Sequence, residues 1–212
     1  MAGHLRAGRT MTRARMPLTQ TLVKDALKEW AVTIDALDRG TQVLLLRKGG
    51  IHEKEFKLEH DEFLLYPSFE HQKANLLKPE YLPDLARVLA PWGGELPKGP
   101  LPAVTFTLFC HATDVIEVTE AEAVDALSPL YIWTPEYAQS RHYWRPKKPL
   151  EIILVRAYRL AQPITVPVSE YFAGCKSWVD LPDAVDLGEL TPCLDDATYA
   201  VETAKVKAAL GV

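Results

Sequence analysis

At 212 residues, 48% hydrophobic and 25% charged, the chain suits one domain with a sizeable core and excludes intrinsic disorder. No apolar run approaches the roughly 18 residues that cross a bilayer, and three scattered cysteines, Cys110, Cys175 and Cys193, exclude a disulfide framework or a CxxC zinc knuckle, so a cytoplasmic chain away from membranes is expected. The net charge of -4 hides an asymmetry, because Arg6, Arg9, Arg13 and Arg15 precede the first acid, Asp25, and leave an acidic remainder.

In chain order, residues 1–18 are expected as a disordered N-terminal extension and residues 19–212 as a single globular domain. The basic extension would suit nucleic acid or targeting, lacks the apolar core of a secretory signal, and holds alternative starts at Met11 and Met16. From Thr19, the four-residue spacing of Leu22, Ala26 and Trp30 predicts a helix capped by Thr19 or Thr21. "WAVTIDALDRG" opens on the alternation Trp30, Val32, Ile34, which favours a strand and then a short turn ending at Gly40, although a helix also fits. "QVLLLR" predicts a buried strand bounded by Gly40 and Gly49-Gly50, and "EFLLYP" a second one stopped by Pro67.

Ser68 is placed to cap a helix running to Pro79, with a second short helix from Pro83 to Leu89. The Pro- and Gly-rich "GGELPKGPLP" reads as a surface loop or a seam between two halves near residues 93–102. "VTFTLFCHATDVIEV" predicts a long strand or a bent pair, and "EAEAVDAL" a short helix. "TPEYAQSRHYW" carries a Thr cap and a first-turn Pro and should be helical until Pro146. "LEIILVRAYRL", apolar on both faces, predicts a central strand, and "DATYAVETAKVKAAL" an amphipathic helix ending at Gly211. Strands and helices mix without a regular βαβ alternation, so the expected class is α+β, with a curled, partly barrel-like mixed sheet flanked by helices.

Four stretches could carry chemistry. Gly49-Gly50 after Arg47 and Lys48 could form an anion-binding nest, or simply a tight connection that needs glycine dihedrals. Glu70 and His71 lie past a strand end, with Asp61, His52 and His60 close in sequence, and carboxylates with imidazole can hold a divalent ion that activates water. That makes Glu70, His71 and Asp61 the candidates for a metal-dependent nuclease or other hydrolase, although the spacing matches no metal motif such as HExxH and no cofactor is expected. Cys175 has a lysine neighbour that could activate its thiol, against the plainer reading of a structural cysteine.

The densest cluster is "YIWTPEYAQSRHYWRPKK", where Arg141, Arg145, Lys147 and Lys148 stand among Tyr131, Trp133, Tyr137, Tyr143 and Trp144. Cations neutralise phosphates and aromatic faces stack on exposed bases, which is why nucleic-acid binders interleave them. The plain alternative is that Trp133 and Tyr137 fill the core while the cations coat a solvated surface.

The run "ALKEW…ALDRGTQVLLLRKGGIHE…FLLYPSFEHQ…YIWT…RHYWRPKKPLEIILVRAYRL…YFAGCKSWVDL" resembles a bacterial family of domains of unknown function, number 1802, over Ala26 to Leu181. Members of that family occur with Mrr-type restriction endonuclease domains, so the resemblance implies a role near DNA restriction; this chain has no room for such a nuclease domain in addition. The segment from Trp30 to Arg47 also resembles the opening of PUA-like domains, including the ASCH group, small barrels that bind RNA or modified bases. The ASCH pattern GxKxxExR falls on Gly40, Gln42, Leu45 and Arg47, where only Gly40 and Arg47 match, so binding is a better inheritance than hydrolysis.

The leading expectation is therefore a non-catalytic nucleic-acid-binding or sensing module beside a restriction or other DNA-processing partner. Arg141, Trp144, Arg145, Lys147 and Lys148 would contact DNA or RNA, with Arg47 and Lys48 as a second contact. A metal-dependent hydrolase and a protein-binding adaptor without nucleic-acid affinity are the alternatives.

Overall fold

The computed structural model describes residues 10–12, 22–48, 56–70, 72–99, 101–169, 172 and 176–212. Along the chain run β1 (Thr10–Thr12), β2 (Leu22–Trp30), α1 (Ala31–Asp38), β3 (Leu44–Arg47), β4 (Glu62–Ser68), α2 (Leu82–Leu89), β5 (Ala103–Val118), α3 (Ala121–Ala126), α4 (Pro135–Tyr143), β6 (Leu150–Pro167), β7 (Trp178–Asp186), β8 (Leu190–Pro192) and α5 (Asp196–Leu210). The strands among the described residues form one mixed sheet in the order β3-β6-β5-β4-β2-β7, with β1 on β5 and β8 on β6. The class is the α+β fold expected from the sequence.

The spine is the antiparallel pair of β5 and β6, which runs from Ala103 opposite Pro167 to Val118 opposite Leu150 with register shifts between Phe106 and Leu108 and between Ala112 and Asp114. Of the pairs in the sheet, β2 with β4 alone is parallel among the described residues. The sheet is open but curled. In a flat sheet β3 and β2, four places apart, would stand roughly 19 Å from each other, far beyond one side chain. Yet Arg47 Nη1 at the end of β3 donates to the Lys28 carbonyl on β2 at 3.0 Å.

Both faces of β3 are buried, as its unbroken apolar run implies. Leu45 joins Phe63, Leu108, Ile153 and the α1 residues Ile34 and Leu37 in one core. Leu44 and Leu46 turn the other way, onto Ile152, Leu154 and a layer built from Val124, Ala138, Val206 and Leu210 of α3, α4 and α5.

Three expectations are corrected. The helix expected from Thr19 is strand β2 over its described part: it is laddered to β4 on one side and β7 on the other, and backbone pairing on both edges outweighs the helix propensity of "ALKE". A register shift between Val23 and Asp25 breaks its alternation, which is why its apolar residues imitated helical spacing. The strand favoured at Trp30 to Ile34 is helix α1, whose Ala31, Val32, Thr33, Ile34, Ala36 and Leu37 are all buried, so no polar face reveals its period. Ser68 caps no helix: β4 runs through Pro67 to Ser68, and the following stretch holds only 3-10 turns at Ala74–Leu76 and Pro79–Tyr81. Strands β7 and β8 were not anticipated.

The remaining expected elements, β3, β4, α2, β5, α3, α4, β6 and α5, are present. Within the stretch expected as a disordered extension, Thr10–Thr12 pair with β5 at Asp114–Ile116.

Gly40, which closes the turn after α1, has φ +68, and a Cβ there would stand 2.3 Å from Leu194 Cδ2. Gly40→Ala should therefore destabilise the fold by about 1–3 kcal/mol through combined backbone strain and overlap, read as a lower urea midpoint at unchanged slope.

Candidate functional site

Helix α4 begins as its sequence dictates. Thr134 is extended and its hydroxyl accepts from the Tyr137 N–H at 3.2 Å, while Pro135 opens the helix. It ends abruptly: Trp144 N–H still reaches Ser140 O at 3.0 Å, and then Arg145 adopts φ +55 and Lys148 N–H closes a turn onto Arg145 O at 2.9 Å. Arg145 is the one non-glycine residue with positive φ among the described residues, a conformation that costs a side-chain-bearing residue energy and gathers at functional sites. The turn presents Tyr143 and Trp144, 62% and 42% exposed, beside exposed Lys147 and Lys148. The Arg145 guanidinium lies 5.8 Å from the Trp144 ring centre.

Beneath this surface α4 meets the ends of β2 and β3. The Tyr137 ring packs against Trp30 at 4.9 Å between centroids, and Arg141 follows one helical turn later on the same side. Glu29, only 8% exposed, accepts from Trp30 N–H at 2.8 Å and pairs with Arg47 at 3.2 Å. The Arg47 guanidinium also lies over the Phe56 ring, 5.2 Å from its centre. Burial pushes the Glu29 carboxyl above its ordinary range, and Arg47, the Trp30 N–H and Arg141 pull it partly back.

Lys48 is 3% exposed, and its ammonium donates to the carbonyl of His142 in the last turn of α4, where the helix dipole favours a cation. Burial and then the Arg141 charge lower the Lys48 pKa, while burial and Lys48 lower that of His142. Burial raises the Tyr137 phenol to about 12, so it is a neutral packing group.

The expected site residues are thus partly gathered. Arg141, Trp144, Arg145, Lys147 and Lys148 share one end of α4, and Arg47 and Lys48 lie under it, engaged by Glu29 and by the His142 carbonyl. Trp133 is buried against Tyr131 and Tyr137, so that part of the aromatic cluster is core.

Asp61 and Glu70 flank opposite ends of β4, roughly 20 Å apart at about 3.3 Å per residue, too far to ligate one ion together. His71, Gly49-Gly50, His52 and Cys175 lie outside the described residues. Among the described residues no three His, Cys, Asp or Glu side chains are grouped to hold a metal ion. Of the positions that resemble the ASCH pattern, Gln42 is buried between Leu44 O and the Ile132 N–H, and Leu45 lies in the core. The residue that sequence reasoning passed over is Glu29, hidden because a helical reading of "ALKEW" puts an acid there on a solvated face.

A family model described as Domain of unknown function (DUF1802) matches residues 26–205. The chain belongs to this family. The DUF1802 match takes in the whole site, from Glu29 through Arg47 and Lys48 to the turn after α4. No curated protein and no solved structure matches the chain. Among the described residues no helix is long and apolar enough to cross a membrane.

The raised Glu29 pKa carries a sign. The unfolded chain loses this proton near the ordinary value of 4.5 and the folded chain at higher pH, so between the two the folded state holds the extra proton and stability falls as pH rises. The stability of the wild type relative to Glu29→Gln should decline with pH above 4.5 and level off once folded Glu29 has ionised. Urea unfolding of both proteins from pH 4 to about 8 measures this, and parallel curves would show that Glu29 ionises as in the unfolded chain.

Proposed function

We propose that the chain is a non-catalytic nucleic-acid-binding or sensing module of the cytoplasm, acting with a restriction or other DNA-processing partner. The observation that supports this reading best is the turn after α4, where the exposed Trp144 ring stands among Arg145, Lys147 and Lys148 on a strained but hydrogen-bonded backbone. An exposed indole offers a base a face to stack on, and neighbouring cations neutralise the phosphates on either side of it. The acidic balance of the whole chain disfavours a broad groove around a duplex, and a narrow strip of this kind fits a single strand or a local distortion better.

Replacing Arg145, Lys147 and Lys148 together by alanine should weaken oligonucleotide binding and flatten its salt dependence. Each lost phosphate contact removes about 0.7 unit of the slope of log K against log salt for single strands and about 0.9 for duplex. Trp144→Ala should lower affinity by about 1–3 kcal/mol at every salt concentration and leave the slope alone, because stacking releases no counterions. Fluorescence anisotropy over a salt series separates the two effects. Binding and slope unchanged in both variants would remove the turn from the interface.

A further inference from the structure

Among the described residues, the cations in the floor under the turn outnumber the carboxylates paired with them. Arg47 is balanced by Glu29. Lys48 is not: a lysine 3% exposed has a neutral carbonyl as its hydrogen-bond partner, and no carboxylate among the described residues lies within ion-pair distance of it. The Arg141 side chain, half-buried one turn beyond Tyr137, makes no hydrogen bond and no ion pair with the described residues, and its charge acts on the Glu29 carboxyl without direct contact. Lys48 Nζ reaches the carbonyl of His142, the residue after Arg141, and the Arg141 charge adds to burial in lowering the Lys48 pKa. Buried charges in folded proteins are ordinarily paired, because an unpaired one forfeits its hydration without return. A guanidinium whose fork makes no bond with the described residues, beside a lysine that no described carboxylate pairs, suits an anion with several acceptor oxygens that takes two parallel N–H bonds.

We propose that Arg141, with Lys48 held on the carbonyl of the next residue and the Trp144–Lys148 turn following directly in the chain, binds one phosphate group. Resting on the reading above, this phosphate belongs to the nucleic-acid strand whose neighbouring base stacks on Trp144. The shallow exposed turn then tracks the strand, and the half-buried guanidinium grips a single position of it. The group is either a terminal phosphate, where a strand ends in the site, or one internal phosphodiester.

Inorganic phosphate tests the site without any oligonucleotide. At ten times its Kd, phosphate should raise the Tm of the wild-type chain by about 3–6 °C, against sodium chloride of equal ionic strength, and should leave Arg141→Ala unmoved. Without phosphate, Arg141→Ala should melt cooperatively and close to the wild type, since the substitution breaks no side-chain hydrogen bond with the described residues, so a failure to respond cannot be ascribed to misfolding. Equal stabilisation of both proteins, or of neither, overturns the site.

In oligonucleotide binding Arg141→Ala should lower affinity about 10–100-fold, the loss expected of charge-assisted hydrogen bonds. Removing the 5′-phosphate from the strand should reproduce that loss if the site takes a chain end and have no effect if it takes an internal phosphodiester. A chain that answers phosphate through Arg141 but binds no oligonucleotide keeps the site and loses the nucleic-acid reading. One that binds oligonucleotide equally with and without Arg141 keeps that reading and loses the site.

Discussion

A guanidinium that reaches from the end of β3 to a backbone carbonyl and a buried carboxylate on β2 fixes how far the sheet curls. The backbone ladder leaves β3 and β2 four places apart, so hydrogen bonding between strands cannot bring them together. Arg47 does so with one side chain, its guanidinium over the Phe56 ring. Helix α1 occupies the concavity this creates, its Ile34 and Leu37 packing on residues from β3, β4, β5 and β6. Because α1 directly follows β2, the same curl sets Glu29, Trp30 and the start of α1 under α4.

Arg47 and Lys48 are neighbours in sequence and do different work, because successive side chains of an extended chain point to opposite faces. Arg47 turns toward β2 and is neutralised there. Lys48 turns toward the C-terminal end of α4, whose carbonyl dipoles attract it without cancelling its charge. A basic dipeptide thus becomes one structural ion pair and one helix cap. The cap pins the last turn of α4 to the sheet and sets a lysine that no described carboxylate pairs beside the helix end that carries Arg141.

Much of this was legible in the sequence. β5 and β6, apolar over long runs, and α4, announced by Thr134-Pro135, declare themselves through local chemistry. The basic and aromatic stretch from Tyr131 to Lys148 divides between core, with Trp133, and the exposed turn after α4, with Trp144, Lys147 and Lys148. What was not legible depended on partners. β2 looked helical because its bulge shifts the alternation, and only its two neighbours make it a strand. α1 looked extended because it is buried nearly all round, which erases the polar face that betrays a helix. Glu29 carried no local sign at all, since a buried acid is meaningful only beside the arginine that the curl brings to it. Arg145 likewise reads as an ordinary surface cation until its backbone conformation is seen.

The connection between β5 and β6 unites these parts. Val118 and Leu150 face each other across the ladder, so residues 119–149, with α3 and α4, leave and return at one end of the sheet. Arg47 pairs with Glu151 in the adjoining register, which sets it at that same end. The turn at residues 144–148 is therefore the last stretch of an excursion whose two ends are fixed by the longest strand pair of the fold. A residue strained at φ +55 would relax in a free loop; here Ser140 holds the turn before it, Lys148 closes it after, and β6 begins two residues on. That anchoring holds an exposed indole, two exposed lysines and the half-buried Arg145 together on one short turn, where a free loop would disperse them. A surface ordered this way loses less entropy when it meets a ligand, so the constraint that costs Arg145 its usual backbone well is returned as pre-organisation of the turn.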